Sequence, residues 1–284
     1  IKKQSGGTFA QLEDFAQENK TEFELINIYY KLLKMEAPDV LDSYMLYVEK
    51  NRKRRDRFYE PRRKTLKLVT DKLQLLEDDE LDELFVHMPA RTGKSQELTL
   101  ATSWKCARNT EASNLYVTYK EGLGGAFLDG VIEIWTDPIY CFSDIFPKAI
   151  IVDTDAKNNK VDLQRKKKYK SLSGKGLTSG LNGEYDAYGW LIIDDILEGI
   201  QDVLNPDILR RKQIIFDNNV MKRKKEKCKV VYNGTIWSLK DIYMNRRDFL
   251  ENNPEAQDIR FDVLKIPALD PETDESNFDY DYGV

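Results

Sequence analysis

The stretch HMPARTGKS, residues 87–95, ends in Gly93, Lys94 and Ser95. A glycine lets backbone approach an anion closely, a lysine reaches out with a cation, and a serine hydroxyl can ligate a divalent metal. In this order, after a strand and at the start of a helix, they form the closing half of a phosphate-binding loop, G-x-x-x-x-G-K-[S/T]. The N–H groups at the helix start meet the phosphates there. Met88 stands where the first glycine of that pattern belongs. Pro89 presets one dihedral and can fix the turn in glycine's place, and Arg91 adds a second positive charge. The tripeptide alone is expected by chance in roughly one chain of this length in seven, so its setting must carry the argument. Residues Pro89, Ala90, Arg91, Thr92, Gly93, Lys94 and Ser95 are the candidate nucleotide-binding set. Lys94 and Arg91 would face the transferred phosphate, and Ser95 the metal.

A nucleotide hydrolase of this kind also needs an acid at a neighbouring strand end to hold the metal, and a carboxylate to orient the attacking water. WLIIDD, residues 190–195, supplies both: Asp194 for the metal and Asp195 as the base. Alone, IIDD is an ordinary buried strand running into a polar loop; its order and spacing after the Lys94 loop make it more. A third element is NGTIW, residues 233–237. There Thr235, with Gly234 beside it, is the candidate for sensing the terminal phosphate and passing the signal along the chain. An ordinary strand-to-helix turn fits that segment equally well.

The elements that must position these residues follow from apolar periodicity. Residues 8–57 read as helices, broken at Pro38, with Pro61 opening the next helix at its first turn. Strands are expected at 84–88, 114–119, 149–152, 190–195, 229–235 and 259–266. Helices follow the first, second and fourth, the last of these capped by Asn205 and opened by Pro206. Ser238 with Asp241 resembles a helix N-terminal box. The Gly- and Ser-rich region 171–183 reads as an approach to the fourth strand. Strands alternating with helices predict an α/β fold with a mainly parallel sheet covered on both faces. The predicted organisation is an N-terminal helical segment (1–57), a nucleotide-binding domain (58–266) and an acidic linker (267–284).

Composition bounds the rest. The chain has 284 residues and a net charge of −5. It contains no run of eighteen apolar residues, so no membrane span is expected. Three scattered cysteines fit a reducing compartment rather than a disulfide framework. The single histidine, His87, leaves little room for histidine-based metal or acid–base chemistry. Basic strips lie at 50–67, at RKKKYK (165–170) and at KRKKEKCK (222–229), on an otherwise acidic chain. Such strips suit contact with a polyanion at chosen places, or are solvated faces.

Together these pieces resemble the ATPase half of the large terminase subunit of tailed double-stranded DNA phages. MPARTGKS is similar to that family's P-P-R-x-G-K-S loop, LIIDDI to its second motif, and GTIWSLKDI to its third, with Ile236 in place of the usual arginine. SGKGLTSGLNGEYDAYGWLIIDD resembles its Gly-rich approach. FYEPRRKTLKLV resembles its upstream segment, which implies adenine contacts at Tyr59 and Arg62. The resemblance covers roughly residues 55–270. It implies a P-loop NTPase of the ASCE (RecA-like) class that uses ATP and Mg²⁺ to drive double-stranded DNA into a procapsid in the host cytoplasm. The implied partners are the portal protein, the small terminase subunit and neighbouring copies in a ring. It also implies an RNase H-type nuclease beyond this chain. The arginine that such rings insert into a neighbour's site is not identifiable from one sequence; Arg165 and Arg108 are candidates for it. Two rival readings are a helicase-like ATPase of the same fold, and a non-catalytic DNA-binding or assembly module with a degenerate site, which Met88 motivates.

Overall fold

The computed structural model describes residues 22–181 and 185–280. The N-terminal periodicity resolves into α1 (Glu22–Glu36), α2 (Leu41–Val48) and α3 (Tyr59–Glu77); the helix expected before residue 22 lies outside the described residues. Pro38 separates α1 from α2, as expected. Helix α3 begins two residues ahead of Pro61, and none of its own side chains caps it. The Glu49 carboxylate does so from a distance, accepting the N–H groups of Phe58 at 3.0 Å and Tyr59 at 2.9 Å. The N-terminal helices are not a separate layer. Leu41, Tyr44, Leu66 and Trp104 share one core, and Trp104 Nε1 donates to the Ala37 carbonyl at 2.8 Å.

Eight strands form one sheet: β1 (Glu83–His87), β2 (Asn114–Thr118), β3 (Ile151–Asp155), β4 (Lys160–Leu163), β5 (Leu172–Gly176), β6 (Trp190–Asp194), β7 (Lys229–Asn233) and β8 (Phe261–Lys265). Their order is β3-β4-β5-β2-β6-β7-β1-β8. From β5 to β8 all neighbours are parallel, while β3 and β4 add an antiparallel edge. The intervening helices are α4 (Lys94–Arg108), α5 (Glu121–Thr136), α6 (Phe142–Ile145), α7 (Ile200–Leu204), α8 (Pro206–Ile215) and α9 (Ile242–Asn252). Apolar side chains of α2 to α5 cover one face of the sheet; those of α8 and α9 cover the other. The chain is therefore an α/β protein with a mainly parallel sheet flanked by helices.

Three expectations change. The third strand sits at 151–155 rather than 149–152, and it is an antiparallel edge strand. The Gly-rich region contains β5, a fully buried interior strand. Its glycines serve close packing. A Cβ on Gly124 of α5 would stand 2.7 Å from the Lys175 nitrogen, and one on Gly174 would collide with the Gly124 carbonyl, so helix and strand meet backbone to backbone. Third, residues 267–280 do not fray. Phe278 is buried in the main core, Thr65 donates to the Asn277 carbonyl at 3.0 Å, and Tyr280 Oη donates to the Thr92 carbonyl at 2.8 Å. At α9, Asp241 itself is the N-cap, accepting from Met244 N at 3.0 Å. Ser238 lies outside the helix.

Strand β1 is anchored at its start by Glu83, whose carboxylate is wholly buried. Arg246 of α9 grips it through Nε (3.0 Å) and Nη2 (2.6 Å), with Lys224 at 2.8 Å and the Tyr232 hydroxyl at 2.8 Å. Burial would raise the Glu83 pKa, but Arg246 and Lys224 outweigh it and hold it below the usual value. A depressed carboxylate stabilises the fold above its unfolded pKa, and that contribution is lost as pH falls through the folded one. Glu83→Gln leaves Arg246 without its buried counter-charge and should cost about 3–5 kcal/mol at pH 7. The gap from the parent should narrow in denaturant titrations below about pH 4. A variant as stable as the parent at neutral pH would show that the cluster does not anchor β1.

Candidate nucleotide site

Strand β1 delivers the chain at His87 into the loop 88–93, and α4 starts at Lys94. Met88 does not behave like a missing glycine. It is absent from the positive-φ positions of the described residues, and its side chain is buried in the core, so nothing there calls for glycine. The left-handed positions fall later, at Arg91 (φ 64°) and Gly93 (φ 99°). Gly93 has a second reason to lack a side chain, since a Cβ would lie 2.7 Å from the Phe58 ring. Thr92 is fully buried and ties the loop internally by donating to the Pro89 carbonyl at 2.8 Å.

The Lys94 ammonium donates back to the Met88 carbonyl at 3.0 Å and the Pro89 carbonyl at 2.8 Å. Burial pulls its pKa down, with Asp195 and then Asp194 opposing that shift. Asp194, the last residue of β6, is 2% exposed. It accepts from Tyr116 Oη of β2 at 2.7 Å and from Asn233 Nδ2 of β7 at 2.6 Å. Burial, and next the Asp195 charge, push its pKa up to about 6, while hydrogen bonds from Tyr116, Ser95 and Asn233 act against the rise. The Ser95 hydroxyl and the Asp194 carboxylate are thus neighbours. Asp195 leaves the strand at φ 41°, an uncommon conformation for aspartate. It is held by its N–H to the Asn233 carbonyl (2.9 Å), and Tyr119 N donates to its own carbonyl (3.3 Å).

Arg91, Lys94, Ser95, Asp195, Glu198 and Thr235 are among the residues that line one cavity of about 800 Å³, and Asp194 lies behind Ser95. The structure therefore brings together most of the sequence candidates from three separate strand ends. Ala90 and Gly93 also line the cavity, whereas Pro89 and Thr92 form the loop behind it. Gly234 faces a neighbouring cavity of about 520 Å³, and its carbonyl pairs with His87 Nδ1 at 3.0 Å. Thr235 lines both cavities. No protein-family model matches the chain, nor does any curated protein. The chemistry of the site must therefore be read from its own groups.

Tyr59 is not at the cavity. Its ring is fully buried and its hydroxyl donates to Asp42 at 2.7 Å. Phe58, one residue earlier, meets the loop at Gly93 instead, and the Arg62 guanidinium lies 5.1 Å from both the Phe58 and the Tyr280 rings. Arg108 packs on Trp104 at 5.0 Å, and Arg165 pairs with Glu111; neither lines the cavity. Residues the motifs did not reveal include Glu198, Tyr116 and Tyr243. Tyr243 receives Ile196 N at 3.0 Å and donates to the Asn233 carbonyl at 3.0 Å, fastening the acidic turn to the end of β7. Gly234 makes room for it, since a Cβ there would stand 2.7 Å from that hydroxyl.

The donor set is hard oxygen: Ser95, Asp194 and, through the cavity, Asp195. That fits Mg²⁺, which binds through one or two protein oxygens together with phosphates and water. Trp237 also lines the cavity and is 40% exposed, against 0%, 9% and 0% for Trp104, Trp135 and Trp190. Filling the cavity with a nucleoside triphosphate should change the tryptophan emission, and Trp237→Phe should remove that change. An equal change in the variant would place the ligand elsewhere.

Proposed function

We propose that this chain is the ATPase motor domain of a phage DNA-packaging terminase, hydrolysing ATP to move double-stranded viral DNA into a procapsid. The observation that carries the hydrolase reading is that Lys94, Ser95 and Asp195 line one cavity at the carboxyl ends of parallel strands, with the Asp194 carboxylate directly behind the Ser95 hydroxyl. The sheet order supports a P-loop NTPase of the ASCE class, because β7 lies between the loop-bearing β1 and the acid-bearing β6. The packaging role rests on the motif resemblance, as do the partners: duplex DNA, the portal protein, the small terminase subunit and neighbouring copies in a ring, acting in the host cytoplasm. Among the described residues no helix is long and apolar enough to cross a membrane.

In this mechanism the loop N–H groups and the start of α4 cradle the phosphates. Lys94 exchanges its carbonyl partners for the β and γ phosphates, and Arg91 adds charge beside them. Ser95 and Asp194 would hold Mg²⁺, which would supply charge neutralisation for the phosphate oxygens. Asp195, exposed to the cavity on its strained turn, orients the attacking water and accepts its proton. Thr235 stands where a terminal phosphate can be sensed, on the turn that Tyr243 ties to Asp195's neighbour Ile196. The buried side chain of Met88 removes the observation that favoured a degenerate site.

Steady-state ATP hydrolysis with Mg²⁺ tests the reading. Lys94→Ala should abolish turnover; unchanged turnover would refute the site. Asp195→Asn should retain nucleotide binding while turnover falls by roughly two to four orders of magnitude. Collapse of binding in that variant would make Asp195 a metal or structural residue.

A further inference from the structure

The two basic strips RKKKYK and KRKKEKCK are far apart in sequence but adjacent in the fold. The first lies in the β4–β5 connection and enters β5; the second leads into β7. Between them run residues 109–113, which enter β2, and 185–189, which enter β6. Strands β5, β2, β6 and β7 are consecutive and parallel, so their four entries lie side by side on the edge opposite the nucleotide cavity. Hydrogen bonds join the entries. Lys167 Nζ donates to the carbonyls of Thr110 and Ala112, Gly189 N to Ser113 O at 2.9 Å, and Ala187 N to Arg223 O at 2.9 Å. At about 4.8 Å per strand, the band spans roughly 14 Å.

Its cations divide into two sets. The inner ones are committed: Arg223 and Lys225 to Asp186, Lys224 to Glu83, Lys170 to Asp162. The outer ones, Lys166, Lys168, Lys222 and Lys227, are exposed. The Lys166 side chain is 72% exposed even in its pair with Asp153. Exposed pairs of that kind are worth little and are readily exchanged. A groove of about 340 Å³ runs beside Lys166 and Lys168, flanked by Tyr169 and Tyr188, whose rings are 5.9 Å apart. Tyr188 is the one large apolar side chain exposed on this band among the described residues. A single tyrosine is little to insert into a lipid surface, while the charge row matches a sugar-phosphate backbone.

We infer that this edge is a single docking surface for the backbone of duplex DNA, formed jointly by both strips and about one strand length, roughly 16 Å, from the nucleotide cavity. The proposed function supplies only the choice of duplex DNA over other polyanions. The test is fluorescence anisotropy of a labelled duplex with the whole chain, without nucleotide, across a salt series. Lys166→Glu/Lys168→Glu and Lys222→Glu/Lys227→Glu should each weaken binding on the order of fifty-fold at 0.1 M salt and reduce the log–log salt slope by about 1.8. Melting temperature and ATP turnover should stay at the parent's values. If either pair leaves affinity and slope unchanged, the two strips are not one surface and the inference falls. It falls also if the parent binds phosphatidylserine vesicles more tightly than the duplex. Duplex binding by a chain that shows no turnover would overturn the hydrolase reading and leave this one standing.

Discussion

The Asp194 carboxylate is almost sealed from solvent, and a buried carboxylate persists only where its oxygens are matched by donors. Tyr116 on one flanking strand and Asn233 on the other supply them. That need reaches well beyond the site. Asp194 stands opposite Asn233 in the β6–β7 register, and Tyr116 stands opposite Ile192 in the β2–β6 register. Slipping any of the three strands by one residue would turn a donor to the other face and strand the acid. The turn carrying Asp195 inherits its position from the same arrangement, since its N–H pairs with the Asn233 carbonyl. Two non-glycine residues at the cavity, Arg91 and Asp195, hold left-handed backbone, a conformation that persists only where surrounding structure over-determines it.

The loop, the acidic pair and the Thr235 turn were legible because each is a run of a few adjacent residues whose types state their chemistry. The alternation of strands and helices was legible because buried parallel strands read as short apolar runs. Tyr116 and Tyr243 were not, because a tyrosine in an apolar segment looks like core until its partner is known, and both partners come from other strands. Strand β5 was not legible, because its glycines break up the apolar run that marks a buried strand; here Gly174 permits the close approach of a helix at Gly124. The tail misled because an acidic composition hid the anchoring side chains of Phe278 and Tyr280. Tyr59 and Phe58 show a limit of another kind. The segment that the resemblance singled out touches the loop, but neighbouring helix positions point about 100° apart, and only packing decides which one meets it.

The acids of the chain illustrate how burial is offset in different ways. Glu83 is buried with a guanidinium and an ammonium, and stays ionised. Glu97, in the first turn of α4, is buried with only the Thr70 hydroxyl at 2.9 Å, and burial pushes its pKa well up. One therefore fastens β1 to the helix behind it as a charge, while burial of the other, in the core behind the loop, favours its uncharged form.

The contact of Tyr280 with the Thr92 carbonyl places the outgoing polypeptide against the back of the loop. Arg62 lies between that tyrosine and Phe58, and Phe58 touches Gly93. The segment of chain after β8 is therefore a tether with one end on the loop 88–93. A pull applied near residue 280 is delivered within one side chain of Gly93, and a rearrangement of the loop is felt by that tether as slack or tension.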